Sequence, residues 1–300
     1  VNPINPMLEA ATIRDICLAA DTKVMVALGE FPGSEIWEKV MSIKDDLPHL
    51  EAIVRVMGPS DPKENIVGFD EVLPNYNSAG LDSGRDIKPE EICSMYHTGG
   101  TTGTPKLAPH THFNEAAMAF MLTQAADLYA GETTMCGLPL FHVNGTTVTG
   151  SSPFSTGAHV LILGPMGYRD PSILKNFYKI VEHYKSINFS SVPTVLSMLL
   201  DIPKGNANIS SLLYAICGAA PLSVELFKRF EDHSGMKIIE GYGLTEGTCA
   251  SCVNPLHGER KIGSIGLRLP YQQMAIFIVD EDGKFVRQAK ADEIGSVCMS

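Results

Sequence analysis

The sequence predicts an α/β fold: two successive α/β subdomains with largely parallel sheets, then the start of a small antiparallel β-barrel. Three observations lead there. Short β-rich runs alternate with helically spaced runs through the first ninety residues, and the alternation resumes after residue 92. From about Ile262 it gives way to short alternating runs broken by turns. The expected boundaries are 1–91, 92–261 and 262–300.

In order along the chain, Leu8 to Ala20 has apolar residues at helical spacing, stopped by Asp21 and Thr22. Lys23 to Leu28 reads as a strand, Gly29 to Gly33 as a turn, and Ser34 as the N-cap of a helix over Glu35 to Ile43. A second strand over Glu51 to Met57 makes the spacing that of a parallel βαβ unit. Gly58 to Pro89 is rich in Pro, Gly, Asp and Asn and reads as surface connection. Beyond it, Asn114 is the expected cap of a helix from about Glu115 to Ala130 closed by Gly131. Helices over Ser172 to Lys185, Thr194 to Leu200 and Ser223 to His233 alternate with strands over Asn188 to Val192, Leu212 to Cys217 and Lys237 to Glu240. Asp280 to Gly283 reads as a turn in the β-rich tail, and Ser296 to Met299 as a strand.

Composition narrows the function classes. At 300 residues the chain has room for about two domains or one large one, and for a core that needs no disulfide or metal. No apolar run approaches the roughly 18 residues of a membrane span. The net charge of −11 is uneven: residues 1–91 hold 8 basic and 17 acidic side chains, against 15 and 17 in the remainder. Such a surface repels nucleic acid, whereas backbone amides and one lysine can still neutralise a small phosphorylated ligand. Seven irregularly spaced cysteines do not form a secreted disulfide framework, and a cytoplasmic location is expected. A start at Val1 and an end at Ser300, inside a predicted strand, give the expectation of a piece of a longer protein.

Four segments carry chemistry. In Met95 to Lys106, Gly99, Gly100 and Gly103 let the backbone approach a phosphate, the hydroxyls of Thr98, Thr101 and Thr102 can donate to it, and Lys106 adds a positive charge. Pro105 before the lysine separates this string from the Walker loop, and a Gly/Thr-rich hairpin loop is the plainer reading. Glu240 to Glu246 sets the ring of Tyr242, the hydroxyl of Thr245 and the carboxylate of Glu246 after a strand; the trio can stack on a base, bond a phosphate and hold Mg2+, and a strand-end turn explains it equally. Cys217 to Ser223 joins a strand to a helix through small residues, where open α/β sheets bind ligands. Leu138 to Gly145 sets His142 beside Phe141, a pairing that on its own is more often structural. Gly145, Gly218 and Gly243 are read as leaving room for a ligand. Cys249 and Cys252 have metal spacing without a second pair, and His110 and His112 read as solvent-facing or capping.

Together, in this order, Thr98–Gly99–Gly100–Thr101–Thr102–Gly103–Thr104–Pro105–Lys106, Phe141–His142–Val143–Asn144–Gly145, Gly218–Ala219–Ala220–Pro221–Leu222–Ser223 and Gly241–Tyr242–Gly243–Leu244–Thr245–Glu246 resemble the adenylate-forming, AMP-binding enzymes, and most of all the acyl-CoA synthetase branch. The resemblance covers essentially the whole chain. It implies two α/β subdomains packed together as most of a large N-terminal domain. It implies a ligase that turns a fatty or aryl acid and ATP into acyl-AMP and pyrophosphate, then transfers the acyl group to coenzyme A. A carrier-protein thiol in place of coenzyme A, or a nucleotide-binding module without catalysis, is the alternative.

The resemblance also assigns roles. Thr98 to Lys106 orients the ATP phosphates; Gly218, Ala219 and Ala220 line the adenine; Tyr242 stacks on it with Gly243 beside it; Thr245 bonds the α-phosphate and Glu246 holds Mg2+. Lys106, His142, Thr245 and Glu246 form the catalytic set, and Phe141, His142, Val143, Asn144, Gly145, Cys217 and Gly241 the acyl pocket. The family's Thr–Gly–Asp segment, its hinge Gly–Arg–x–x–Asp and its C-terminal lid domain with a second lysine are not in the sequence. Ser83 to Asp86 is superficially like the hinge but lies upstream of the phosphate loop. A chain lacking these parts is expected to be a poor catalyst by itself.

Overall fold

The computed structural model describes residues 1–76, 79–80, 83–99 and 105–299, which divide into two compact units after His112. In the first, α1 (Ala10–Ala19), β1 (Val24–Leu28), α2 (Ile36–Ile43), β2 (Ala52–Val56) and β3 (Ile66–Gly68) build a parallel sheet in the order β1-β2-β3, followed by α3 (Phe69–Val72). Alternation in β1 buries Met25 and Ala27 against Ile13 and Cys17 of α1 and Trp37, Val40 and Ile43 of α2. α2 starts one residue later than expected, so Glu35 and not Ser34 holds the N-cap position, without a side-chain cap bond; Ser34 Oγ accepts the Ile36 N–H at 3.3 Å from just outside the helix. β3 lies in the stretch expected to be connection; at three residues it is too short to show a period. An antiparallel hairpin, β4 (Ile92–Thr98) and β5 (Lys106–Thr111), completes the unit.

The second unit is built on a seven-stranded sheet. α4 (His112–Ala126), β6 (Thr133–Cys136), α5 (Ser152–Thr156), β7 (His159–Ile162), α6 (Pro171–Lys175), α7 (Phe177–Tyr184), β8 (Asn188–Ser191), α8 (Pro193–Leu200), β9 (Tyr214–Cys217), α9 (Val224–Ser234), β10 (Lys237–Gly243), β11 (Ala250–Val253) and β12 (Leu267–Arg268) follow in sequence. The strand order is β7-β6-β8-β9-β10-β11-β12; the first five strands are parallel and the last two antiparallel. β13 (Met274–Val279), β14 (Phe285–Gln288) and β15 (Ser296–Met299) form the expected antiparallel sheet, β13 in the centre.

Both faces of the parallel sheet are buried. Met135, Phe189, Ala215 and Ile238 stand in one row across β6, β8, β9 and β10 and pack with Phe177 and Val181 of α7, Leu196 and Leu199 of α8, and Phe227 and Phe230 of α9. Tyr214 and Ile239, on the opposite face, pack with Met118, Met121 and Leu122 of α4. The two layers meet at a buried chain of hydrogen bonds: Asn188 Nδ2 donates to Tyr214 Oη at 2.9 Å, and Tyr214 Oη donates to the carbonyl of Ala126 at 2.6 Å.

Several expectations are corrected. The helix expected over 115–130 starts at His112, whose N–H bonds the Glu91 carbonyl at 3.0 Å, so Asn114 lies inside it and is not its cap. It stops at Ala126 because Asp127 takes a left-handed φ of 47°. The helix expected over 172–185 is two helices, broken at Asn176, whose side chain bonds the Ser172 carbonyl at 2.9 Å in competition with the backbone ladder. β10 runs on to Gly243, which puts Tyr242 in a strand and not in the turn after it. His110 does not face solvent: it is buried, its ring 5.1 Å from that of Tyr96. Among the described residues no helix is long and apolar enough to cross a membrane, and all seven cysteines are free.

Replacing Tyr214 by Phe removes the donor to Ala126 and the acceptor of Asn188 while keeping the ring. The expected outcome is a loss of about 1–3 kcal/mol in urea unfolding, the cost of stranding buried polar groups.

Candidate functional site

A cavity of about 890 Å3 lies in the second unit. Its walls come from the carboxyl ends of four parallel strands: Gly137, Leu138 and Pro139 follow β6, Val192 follows β8, Gly218 and Ala219 follow β9, and Gly241 to Gly243 end β10. β7 and β8 lie on opposite sides of β6, so the chain reverses its direction of travel across the sheet there, the position at which open α/β sheets form ligand crevices. The remaining wall is largely apolar, from Leu174 of α6 and Val195 and Met198 of α8. A cavity of about 500 Å3 beside β1 in the first unit contains none of the expected site residues.

Of the expected residues, His142, Val143, Asn144, Gly218, Ala219, Gly241, Tyr242, Gly243 and Thr245 line the larger cavity together. Glu246 and Ala220 are exposed neighbours of lining residues in the chain. Phe141 is half-buried, with its ring centre 4.7 Å from that of His142. Gly145 and Cys217 are buried behind the wall. Thr98 and Lys106 face each other at the end of the β4–β5 hairpin where the chain passes from one strand to the other, in the first unit, with Gly99 adjoining Thr98. Gly100, Thr101, Thr102 and Gly103 lie outside the described residues.

Three glycines expected to leave room for a ligand serve backbone contacts instead. A Cβ on Gly145 would stand 2.4 Å from the Pro139 carbonyl oxygen, one on Gly218 3.1 Å from that of Gly241, and one on Gly243 1.8 Å from that of Cys249. The last coincides with a bulge between β10 and β11 after Tyr242.

Local backbone shapes the rest of the site. From Asn144 to Ser151 the chain is π-wound, with the Ser152 N–H reaching back to the Thr147 carbonyl, and the turn-by-turn widening accompanies functional sites elsewhere. The Thr149 hydroxyl donates to the Gly145 carbonyl at 2.9 Å, and Ser190, buried in β8, donates to Asn144 Oδ1 at 2.6 Å. Ala219 sits at a left-handed φ of 66°, and Thr248, just past the short turn Thr245–Gly247, at 75°. Non-glycine residues in this region cost of order 1–3 kcal/mol each and persist where the surroundings enforce them.

Burial pushes the thiols of Cys217 and Cys249 up to about 12, so both stay protonated. Cys249 Sγ faces the Val143 carbonyl at 3.6 Å while Cys252 Sγ faces Met274 Sδ at 3.2 Å, so the two cysteines point at different neighbours. Among the described residues no group of three or more His, Cys, Asp and Glu gathers for a metal. Glu246 fits Mg2+ differently: this ion takes one or two carboxylates and completes its shell with substrate phosphates and water. Sequence reasoning missed Tyr168, Arg169, Thr194, Val195 and Met198 of the wall. The only signal was position: Tyr168 and Arg169 lie in the turn after β7, and Thr194, Val195 and Met198 in the helix that follows β8.

Two outcomes are expected. Ala219→Gly raises stability by up to about 1 kcal/mol in denaturant unfolding, because glycine carries no penalty at this φ. For the thiols, the unfolded chain ionises near pH 9 and the folded chain only near 12, so their contribution is complete below pH 9 and is lost as pH rises through that window. Unfolding midpoints followed from pH 8 to 11 should fall, and Cys217→Ala should flatten the fall.

The profile of the AMP-binding enzyme family matches residues 1–300. The marinolic acid–CoA ligase of Pseudoalteromonas sp. (strain SANK 73390) is 33% identical over 298 residues, 98% of this chain and 45% of the relative. The long-chain-fatty-acid–CoA ligase of Bacillus subtilis (strain 168) is 30% identical over 85% of this chain and 46% of its own length. The chain thus spans about half the length of the curated relatives it matches. Among solved structures, the anthranilate CoA ligase AuaEII in complex with anthranoyl-AMP superposes with a TM-score of 0.84 at 26% identity, over 99% of this chain and 54% of that one. ATP-bound MatB from Rhodopseudomonas palustris gives 0.80 at 20% over the same shares, a likeness of fold. Motif order, sheet topology and these matches agree: the chain belongs to the AMP-binding enzyme family.

Proposed function

We propose that the protein activates a carboxylic acid, fatty or aryl, in two steps. The acid's carboxylate attacks the α-phosphate of ATP, giving acyl-AMP and pyrophosphate. The thiol of coenzyme A then attacks the acyl carbon and expels AMP, with loss of the thiol proton, to give the thioester. The observation that carries this reading is the meeting of Gly218–Ala219, Tyr242 and Thr245 with His142 and Asn144 in one cavity at the strand ends. That cavity brings the hydroxyl of Thr245 and the side chains of His142 and Asn144 together with a largely apolar wall. The names of the relatives, all CoA ligases, support it.

On this reading the Gly218–Ala220 turn lies along the adenine and the Tyr242 ring stacks on its face. The Thr245 hydroxyl donates to an α-phosphate oxygen, holding phosphorus in line for the incoming carboxylate. Lys106 offsets the charge of the departing pyrophosphate, and Thr98 to Gly103 orient the outer phosphates. Glu246 holds Mg2+, which when bound neutralises phosphate charge. His142 stands where the acyl group meets the thiol, with Val143, Asn144 and Gly241 against the acyl chain and Phe141, Gly145 and Cys217 supporting them from behind. Positioning and charge neutralisation, rather than proton transfer, account for most of the rate in such a reaction. By family resemblance residues 1–91, 92–261 and 262–300 are successive subdomains of this enzyme, with the β4–β5 hairpin packing into the first compact unit, and a cytoplasmic setting suits its free thiols.

Exchange of radiolabelled pyrophosphate into ATP, measured on the full-length protein, is expected to require a carboxylic acid. Glu246→Ala should lower the exchange by about a hundredfold or more without moving the thermal midpoint. ATP binding with no acid-dependent exchange across fatty and aryl acids would overturn the ligase reading and favour a nucleotide-binding module.

A further inference from the structure

Arg169 is the one side chain of fixed charge that lines the cavity among the described residues. Its guanidinium lies 5.6 Å from the centre of the Phe141 ring and forms no ion pair with any described carboxylate. The nearest carboxylate in sequence, Asp170, is occupied: its Oδ1 accepts the Ser172 N–H at 2.8 Å as the N-cap of α6.

The turn that carries Arg169 is firmly held. The Tyr168 N–H bonds the Gly137 carbonyl at 3.0 Å, and the buried Tyr168 ring packs 6.4 Å from Phe177 and 6.3 Å from Phe189, centre to centre. Gly167, at a φ of 52°, has that same Gly137 oxygen 2.1 Å from where a Cβ would stand, so the approach admits only glycine. Leu138, Pro171, Leu174, Val195 and Met198, which line the same cavity, are apolar. Arg169 is exposed where it lines the cavity, and with its turn held and no acidic partner its guanidinium has donors to spare for an anion.

We infer that Arg169 forms a subsite for a second anionic group, a carboxylate or sulfonate, borne by the acid at the end away from the carboxylate that is activated. The inference rests on the reading that this cavity receives the acid. It narrows the substrate class to dianionic acids with an apolar spacer, which lies along the wall between the two charged ends.

Calorimetric binding of matched pairs tests it: hexanoate against hexanedioate, octanoate against octanedioate, and benzoate against terephthalate. In the wild-type protein at least one diacid should bind about tenfold or more tightly than its monoacid, the size of a charge-assisted hydrogen bond. Arg169→Gln should bring that ratio to within about twofold, and Arg169→Lys, which keeps the charge, should restore part of it. Thermal melting of both variants separates loss of the subsite from loss of the fold. Equal affinities within every pair in the wild type, or a ratio that survives Arg169→Gln, would overturn the subsite. So would weakened coenzyme A binding in Arg169→Gln with acid discrimination unchanged, which would give the guanidinium to the thiol's phosphates. No binding of any acid overturns the reading beneath it, and the subsite with it.

Discussion

Everything at the site depends on burial of the parallel sheet on both faces. With Met135, Phe189, Ala215 and Ile238 locked under α7, α8 and α9, and Tyr214 and Ile239 under α4, no strand can slip by one residue without exchanging its faces. That fixed register brings the ends of β6, β8 and β9 close together, with β10 running three residues past them to Gly243. The four connections that leave those strand ends therefore open into a common cavity.

Close backbone approach is the second determinant, and it explains the residue types in the motifs better than ligand size does. Gly145, Gly218 and Gly243 each face a carbonyl oxygen. The cavity itself lies at the reversal at β6, with Leu174 of α6 and Val195 and Met198 of α8 among its walls. Left-handed backbone at Ala219 and Thr248 belongs to the same economy: two turns are held in costly shapes among the residues that line the cavity.

The sequence made much of this legible, and its failures have physical causes. The apolar spacing predicts α9 closely because it is regular and because Ser223 caps the helix, its Oγ accepting the Leu226 N–H at 3.2 Å. The ordered motifs led to Tyr242, Thr245 and the Gly218 turn. β6 escaped notice because Thr133–Cys136 is short and buried without alternation. The wall from Tyr168 to Met198 escaped because its members carry no motif; only tertiary packing brings those turns to the strand ends. The π-wound segment was equally opaque, since Gly145, Thr146, Thr147, Val148, Thr149 and Gly150 are poor helix formers on any local scale.

That segment also bears on how relatives are compared. A π-turn accommodates one residue more than the α-turn it replaces, so losing a single residue between Asn144 and Ser151 can be absorbed by rewinding while α5 stays in place. The fold would survive such a deletion, but the residues presented to the cavity would change their angular position. A one-residue gap here in an alignment therefore marks a change in the lining of the pocket, and residue-by-residue transfer of acid preference across it loses its footing.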